Sequence, residues 1–100
     1  MLEIFPDTFK DETTRKIWER DFIKKGLSQE IQERAKVEMV LLFSTNYFPY
    51  LKQIFGKILK PLKGNRRGEY RIKVDNQYQI CFKWKDGRPY EIEFNKHYWD

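Results

Sequence analysis

Arg71 and Lys73 stand two apart in a stretch where polar and apolar residues alternate, and Lys60, Lys63, Arg66 and Arg67 precede them. Gln79 and Lys83 occupy polar positions of the next alternating stretch, and His97 and Tyr98 follow a third. Guanidinium and ammonium groups neutralise phosphates, and Tyr or His rings stack on bases, so residues of this kind suit a single-stranded nucleic acid. Such a surface can simply bind. It can also cleave RNA, because the 2′-hydroxyl is a built-in nucleophile and the protein need supply only proton transfer and charge stabilisation around the scissile phosphate. Other chemistries find less material. One His and the single Cys81 give no metal-ligand cluster, and Cys81 sits at an ordinary strand position, where a structural thiol is expected. The Gly64–Gly68 segment lacks the following helix and Ser/Thr of a nucleotide loop. Glu91 and Glu93 could imitate a paired-carboxylate site, but among so many cations they read as internal counter-charges.

The elements that must position these residues change character near residue 60. Upstream the apolar period is about four. Asp11 is placed to cap a helix running to about Phe22, with Ile17, Trp18 and Phe22 as its core side and Arg15, Lys16 and Arg20 toward its end. Ser28 caps a second helix in which Ile31, Ala35, Met39 and Leu42 recur, flanked by Val37 and Leu41, and which should end around Ser44 to Asn46. Pro49 is read as a break before an undefined stretch from Tyr50 to Ile58. Beyond residue 68 the period is two. Tyr70/Ile72/Val74, Tyr78/Ile80/Phe82 and Tyr90/Ile92/Phe94 alternate with polar residues, predicting three strands joined by hairpins at Asp75-Asn76 and Lys85-Asp86-Gly87-Arg88. The expected fold is α+β: two N-terminal helices packed on one face of a C-terminal antiparallel β-meander, as a single domain over residues 1–100. The opposite face would then carry Arg71, Lys73, Gln79, Cys81, Lys83, Glu91, Glu93, Asn95 and, if the strand continues, His97, rimmed by Lys60, Lys63, Arg66 and Arg67.

Composition agrees with a small folded domain. The 100 residues are 40% hydrophobic and 35% charged, enough for a core within a polar shell, which argues against disorder. A lone cysteine excludes a disulfide framework and favours a reducing, cytoplasmic setting. No apolar run approaches a membrane span, and Glu3, Asp7, Lys10, Asp11 and Glu12 break up any leader-like segment. The net charge of +5 is uneven: residues 1–50 carry −1 and residues 51–100 carry +6. A phosphate-rich partner accounts for that asymmetry; a merely solvated basic face is the plain alternative.

From Leu62 to Phe82 the chain reads LKGNRRGEYRIKVDNQYQICF. This closely resembles the HigB/GraT branch of the RelE/ParE toxin superfamily, whose pattern runs Leu-Lys-Gly-Asp-Arg-x-Gly-x-Tyr-Ser-Ile-Arg-x-Asn-Asp-Gln-Trp-Arg-Ile-x-Phe. The likeness continues through Lys83-Trp84-Lys85-Asp86-Gly87 and Tyr90-Glu91-Ile92-Glu93, and upstream through 9–13 and 27–35. The resemblance implies a toxin of a type II toxin–antitoxin pair that cuts mRNA in the ribosomal A site without a metal or other cofactor. It implies a HigA-like helix-turn-helix antitoxin as partner, with DNA met only through the antitoxin complex. Carried over by position, Lys63, Arg71 and Lys73 fall on basic positions of the family implicated in RNA contact or charge stabilisation, and His97 or Tyr98 on its acid/base end. Lys60, Arg66, Arg67, Gln79 and Lys83 are the further RNA-contact candidates.

The chain departs from the family at chemically relevant points. Lys60-Pro61-Leu62-Lys63-Gly64 stands where several relatives have His-Pro-Leu-Lys-Gly, replacing a candidate acid/base by a fixed cation. Tyr78-Gln79-Ile80 replaces Trp-Arg-Ile, removing an Arg, and Lys96-His97-Tyr98 replaces Asp-Tyr-His. Two rival functions therefore accompany the nuclease: an attenuated relative that only binds ribosome and antitoxin, and a ParE-like gyrase inhibitor.

Overall fold

The computed structural model describes residues 4–20 and 26–96. Asp11 caps the first helix, α1 (Glu12–Trp18), through its carboxylate, which accepts from the Thr14 N–H at 2.8 Å. The helix is shorter than its sequence implies: Glu19 is its C-cap and Arg20 adopts φ 66°, which stops the helix before Phe22, a residue outside the described set. In α2 (Gln29–Leu42) Ser28 is the cap, accepting from Ile31 N–H at 3.1 Å, and Ala35, Met39 and Leu42 are fully buried. Val37, expected at the flank of the core, is 56% exposed and faces out.

The stretch after Pro49 is a helix, α3 (Phe48–Phe55), followed by a 3-10 turn over Gly56–Ile58. Pro49 lies in the first turn, where the missing N–H has no intrahelical partner to lose, so it opens this helix as well as separating it from α2. Leu51 and Phe55 anchor α3 in the core. The described helices thus number three rather than two.

The sheet has four strands in chain order, all antiparallel: β1 (Leu59–Pro61), β2 (Tyr70–Lys73), β3 (Tyr78–Lys85) and β4 (Arg88–Lys96). The expected three strands are β2 to β4, and β1 is an addition on the β2 edge. Both hairpins form. Asp75 closes the first by accepting from the N–H groups of Gln77 (2.8 Å) and Tyr78 (2.7 Å). The second is a two-residue turn with Asp86 at φ 54° and Gly87 at φ 76°, the paired left-handed conformation that matches strand twist. The helices cover one face, packing on Ile72, Ile80, Phe82, Ile92 and Phe94. Trp18 belongs to the aromatic packing around that core, with Phe43 at 4.9 Å and Phe9 at 6.2 Å between ring centroids. Residues 7–10 run beside β4, Lys10 N–H donating to Ile92 O at 2.8 Å and Ile92 N–H to Thr8 O at 2.9 Å.

Side-chain parity along β4 breaks once. Cys81 pairs with Glu93 but Lys83 pairs with Tyr90, so β4 holds one extra residue there and Glu91 takes φ 48°. A bulge of this kind reverses the side on which everything before it points. Tyr90, expected on the helix-facing side, therefore lies opposite Lys83 on the other face, with the Lys83 ammonium 6.0 Å from its ring centroid.

Candidate nucleic-acid interface

Strand register assembles the face turned away from the helices. One row runs across all four strands: Lys60 pairs with Arg71, Arg71 with Cys81, and Cys81 with Glu93. The next row is Lys73, Gln79 and Asn95. Two residues the other way, Lys83 pairs with Tyr90. Arg71, Lys73, Gln79 and Lys83 thus share one surface, and β1 adds Lys60 to it. The Arg71 guanidinium is half-buried and donates to Ile58 O at 2.9 Å, which holds it toward the β1 side. Burial lowers the pKa of Arg71 from its ordinary value, yet a guanidinium this basic stays charged. Gln79 is buried and its amide nitrogen donates to Asn95 Oδ1 at 2.9 Å, so in place of a cation it supplies a fixed amide. Cys81 lies beneath this surface, fully buried, with Asn95 Nδ2 at 3.6 Å from its sulfur; burial pushes the thiol pKa up. It is a packing residue of the sheet.

Lys63 and Arg67 are exposed on the loop from β1 to β2, where Lys63 is the N-cap of a 3-10 turn over Gly64–Arg66. Leu62 N–H to Glu69 O at 2.8 Å closes the loop at its base. Arg66 turns inward instead. Its Nε donates to Glu69 Oε2 at 3.0 Å, and its Nη2 to Glu69 Oε1 at 2.8 Å and to Glu93 Oε1 at 2.6 Å. The Glu69 pKa is lowered, chiefly by these Arg66 hydrogen bonds, against burial that would raise it. For Glu93, burial pulls upward, but Arg66, Lys10 and Asn95 together bring the pKa below the usual range. Lys10 reaches Glu93 at 3.5 Å, and Lys83 reaches Glu91 at 3.2 Å. The acidic residues of β4 do act as internal counter-charges. The face is consequently not uniformly cationic: its middle and β4 side are neutralised, while Lys60, Lys63, Arg67, Arg71 and Lys73 concentrate positive charge along β1, β2 and the loop.

Residues 7–97 match the family model described as the RelE-like toxin of the type II toxin–antitoxin system HigB. The chain belongs to the HigB-like toxin family. A search of curated proteins gave no match. Membership makes the HigB-like chain one half of a toxin–antitoxin pair, so an antitoxin is its partner. The α+β arrangement of helices on an antiparallel sheet agrees with that assignment. No helix among the described residues is long and apolar enough to cross a membrane.

Of the residues singled out in this HigB-like sequence, Lys60, Arg71, Lys73, Gln79 and Lys83 are brought onto one sheet face, and Lys63, Arg66 and Arg67 onto the adjoining loop. His97 and Tyr98 lie outside the described residues. Sequence reading overlooked Tyr90, whose parity is set by the bulge, and Lys10, whose partner Glu93 is 83 residues away and leaves no local signal.

Proposed function

We propose that this HigB-like toxin is a ribosome-dependent mRNA endoribonuclease that needs no metal. The observation that carries the reading is the cross-strand row in which Lys60 and Arg71 are paired, with Lys73 two residues along the same face. In the reaction the 2′-oxygen bonds to the adjacent phosphorus and the bond from phosphorus to the 5′-oxygen breaks. A 2′,3′-cyclic phosphate and a 5′-hydroxyl result. Negative charge grows on the non-bridging oxygens, and Arg71, Lys73 and Lys63 stabilise it by charge-assisted hydrogen bonds. His97 or Tyr98 takes the proton from the 2′-hydroxyl or returns one to the leaving oxygen. Lys60, Arg67, Gln79 and Lys83 hold the strand on either side. The toxin works in the cytoplasm on mRNA held by the ribosome, under control of a HigA-like helix-turn-helix antitoxin that alone brings it to DNA.

Primer-extension mapping of mRNA from cells expressing the chain tests this reading. Discrete cuts within codons are expected, with cyclic-phosphate ends, and their loss in an Arg71→Ala/Lys73→Ala double variant that still folds. Growth arrest with intact mRNA and damaged DNA would instead identify a gyrase inhibitor. Intact mRNA without DNA damage would leave an attenuated ribosome or antitoxin binder.

A further inference from the structure

The loop that presents Lys63 and Arg67 is shaped by its own backbone, through the Gly64–Arg66 turn and the bond from Leu62 N–H to Glu69 O at 2.8 Å, but none of these bonds ties it to β4. Arg66 fastens it. The guanidinium forks onto both oxygens of Glu69, at the entry to β2, and reaches across to Glu93 in the middle of β4. Glu93 is a rigid post: its neighbours Ile92 and Phe94 are buried, and Ile92 is bonded on both sides to the 7–10 segment. Glu69 is only 8% exposed, so its carboxylate is committed to this contact rather than to solvent.

We propose that Glu69 and Glu93 are positioning residues of the RNA site: through Arg66 they clasp the 62–69 loop to the sheet and fix where Lys63 meets phosphate, without touching RNA. This rests on the nuclease reading above. Three observations favour a clasp over direct contact by Arg66. Its guanidinium hydrogen bonds go to the carboxylates of Glu69 and Glu93. With Lys10 beside Glu93 the cluster holds two positive and two negative groups, so it exerts no net pull on phosphate. Both carboxylates are largely sheltered, with side chains 10% and 20% exposed, so Arg66 is held within the fold rather than presented to RNA. An interaction that sets position is worth much in such a site, because a misplacement of about 1 Å can cost on the order of 100-fold in rate.

Single-turnover cleavage on programmed ribosomes, together with hydrogen exchange over residues 62–69, decides the matter for Glu69→Gln, Glu93→Gln, Arg66→Ala and Arg66→Lys. The clasp predicts that both Gln variants lose at least about tenfold in the rate at saturating ribosome while half-saturation moves little. Exchange should rise in the 62–69 amides. Arg66→Lys should behave like Arg66→Ala, since an ammonium keeps the charge but cannot fork. Removing acidic charge from a plain binding surface would do the reverse and tighten binding, so unchanged rates or tighter binding in the Gln variants would overturn the proposal. So would near-parental cleavage by Arg66→Lys, which would make Arg66 a phosphate contact. If the parent chain does not cut mRNA on ribosomes, the nuclease reading fails. The clasp then stands on faster exchange in the Gln variants and falls on unchanged exchange.

Discussion

Thr14 shows how one side chain can fix the relation between a helix and the sheet. It is fully buried, its N–H is held by the Asp11 cap, and its hydroxyl oxygen accepts from the Phe94 N–H at 2.9 Å. That bond ties α1 to β4 three residues from Glu91 of the bulge, on the strand that also carries Glu93. Valine has nearly the same shape but no acceptor, so Thr14→Val would leave a buried backbone N–H without a partner. The expected loss is about 1–3 kcal/mol of unfolding free energy, with Thr14→Ser losing less because it keeps the oxygen. Urea unfolding of the two variants checks the ordering; equal stability of Thr14→Val and the parent would show that the bond contributes little. The same logic separates Arg66 from its neighbours on the loop. Lys63 and Arg67 are exposed, whereas the Arg66 guanidinium is paired with carboxylates and its pKa is raised further above its already high value, chiefly by the Glu69 hydrogen bonds.

At the level of elements, the β3–β4 turn is a tightly constrained connection. Gly87 has φ 76°, and a Cβ there would come within 3.1 Å of Asn46 O and 3.3 Å of Asn46 Cβ, on the α2–α3 connection. Gly87→Ala therefore combines backbone strain with a steric push between two loops. It is expected to cost about 1–3 kcal/mol, read as a lower thermal midpoint, and the stability of Gly56→Ala (φ 57°, no atom within 4 Å) isolates the backbone share. The strands β2 to β4 and both turns were legible in the sequence because period-two alternation and left-handed turn residues are local signals. The shared face of Arg71, Lys73, Gln79 and Lys83 followed from the same alternation. Other features had no such signal. The apolar rhythm of Tyr90, Ile92 and Phe94 runs unbroken through the bulge, so nothing local reveals that Tyr90 changes sides. Strand β1 is three residues long, too short for a period. Pro49 has opposite meanings in the first turn and in the middle of a helix, and Pro49 alone does not say which applies. The Arg66–Glu93 contact spans 27 residues and depends on the register that the bulge creates.

Among the described residues, charge is unevenly placed across the molecule. The sheet face and its loop hold Lys60, Lys63, Arg66, Arg67, Arg71, Lys73 and Lys83, while α2 carries Glu30, Glu33 and Glu38 beside Arg34, Lys36 and the exposed Val37, and Lys52 and Lys57 lie on α3 and the turn after it. Under the proposed function, attraction to RNA acts on the sheet side. Glu38 marks where the helical side meets the end of β2: it lines one groove with Leu41 and Ile54 and another with Lys73 and Asp75. Burial raises its pKa to about 7, only partly opposed by Arg34, and one carboxyl oxygen is buried without a hydrogen-bond partner. The folded-state pKa lies above the ordinary carboxyl value, so between about pH 4.5 and 7 the folded protein keeps a proton that the unfolded chain releases. By linkage this group destabilises the fold progressively as pH rises through that window, and the full deficit is present above it. Glu38→Gln removes the titration while keeping the shape. It should gain on the order of 2 kcal/mol over the parent at pH 8 and little or nothing at pH 4.5, allowing for partial exposure of the group. Urea titrations of parent and variant at the two pH values give the comparison directly; a difference between the two proteins that does not change with pH would mean that Glu38 ionises as freely in the folded chain as in water.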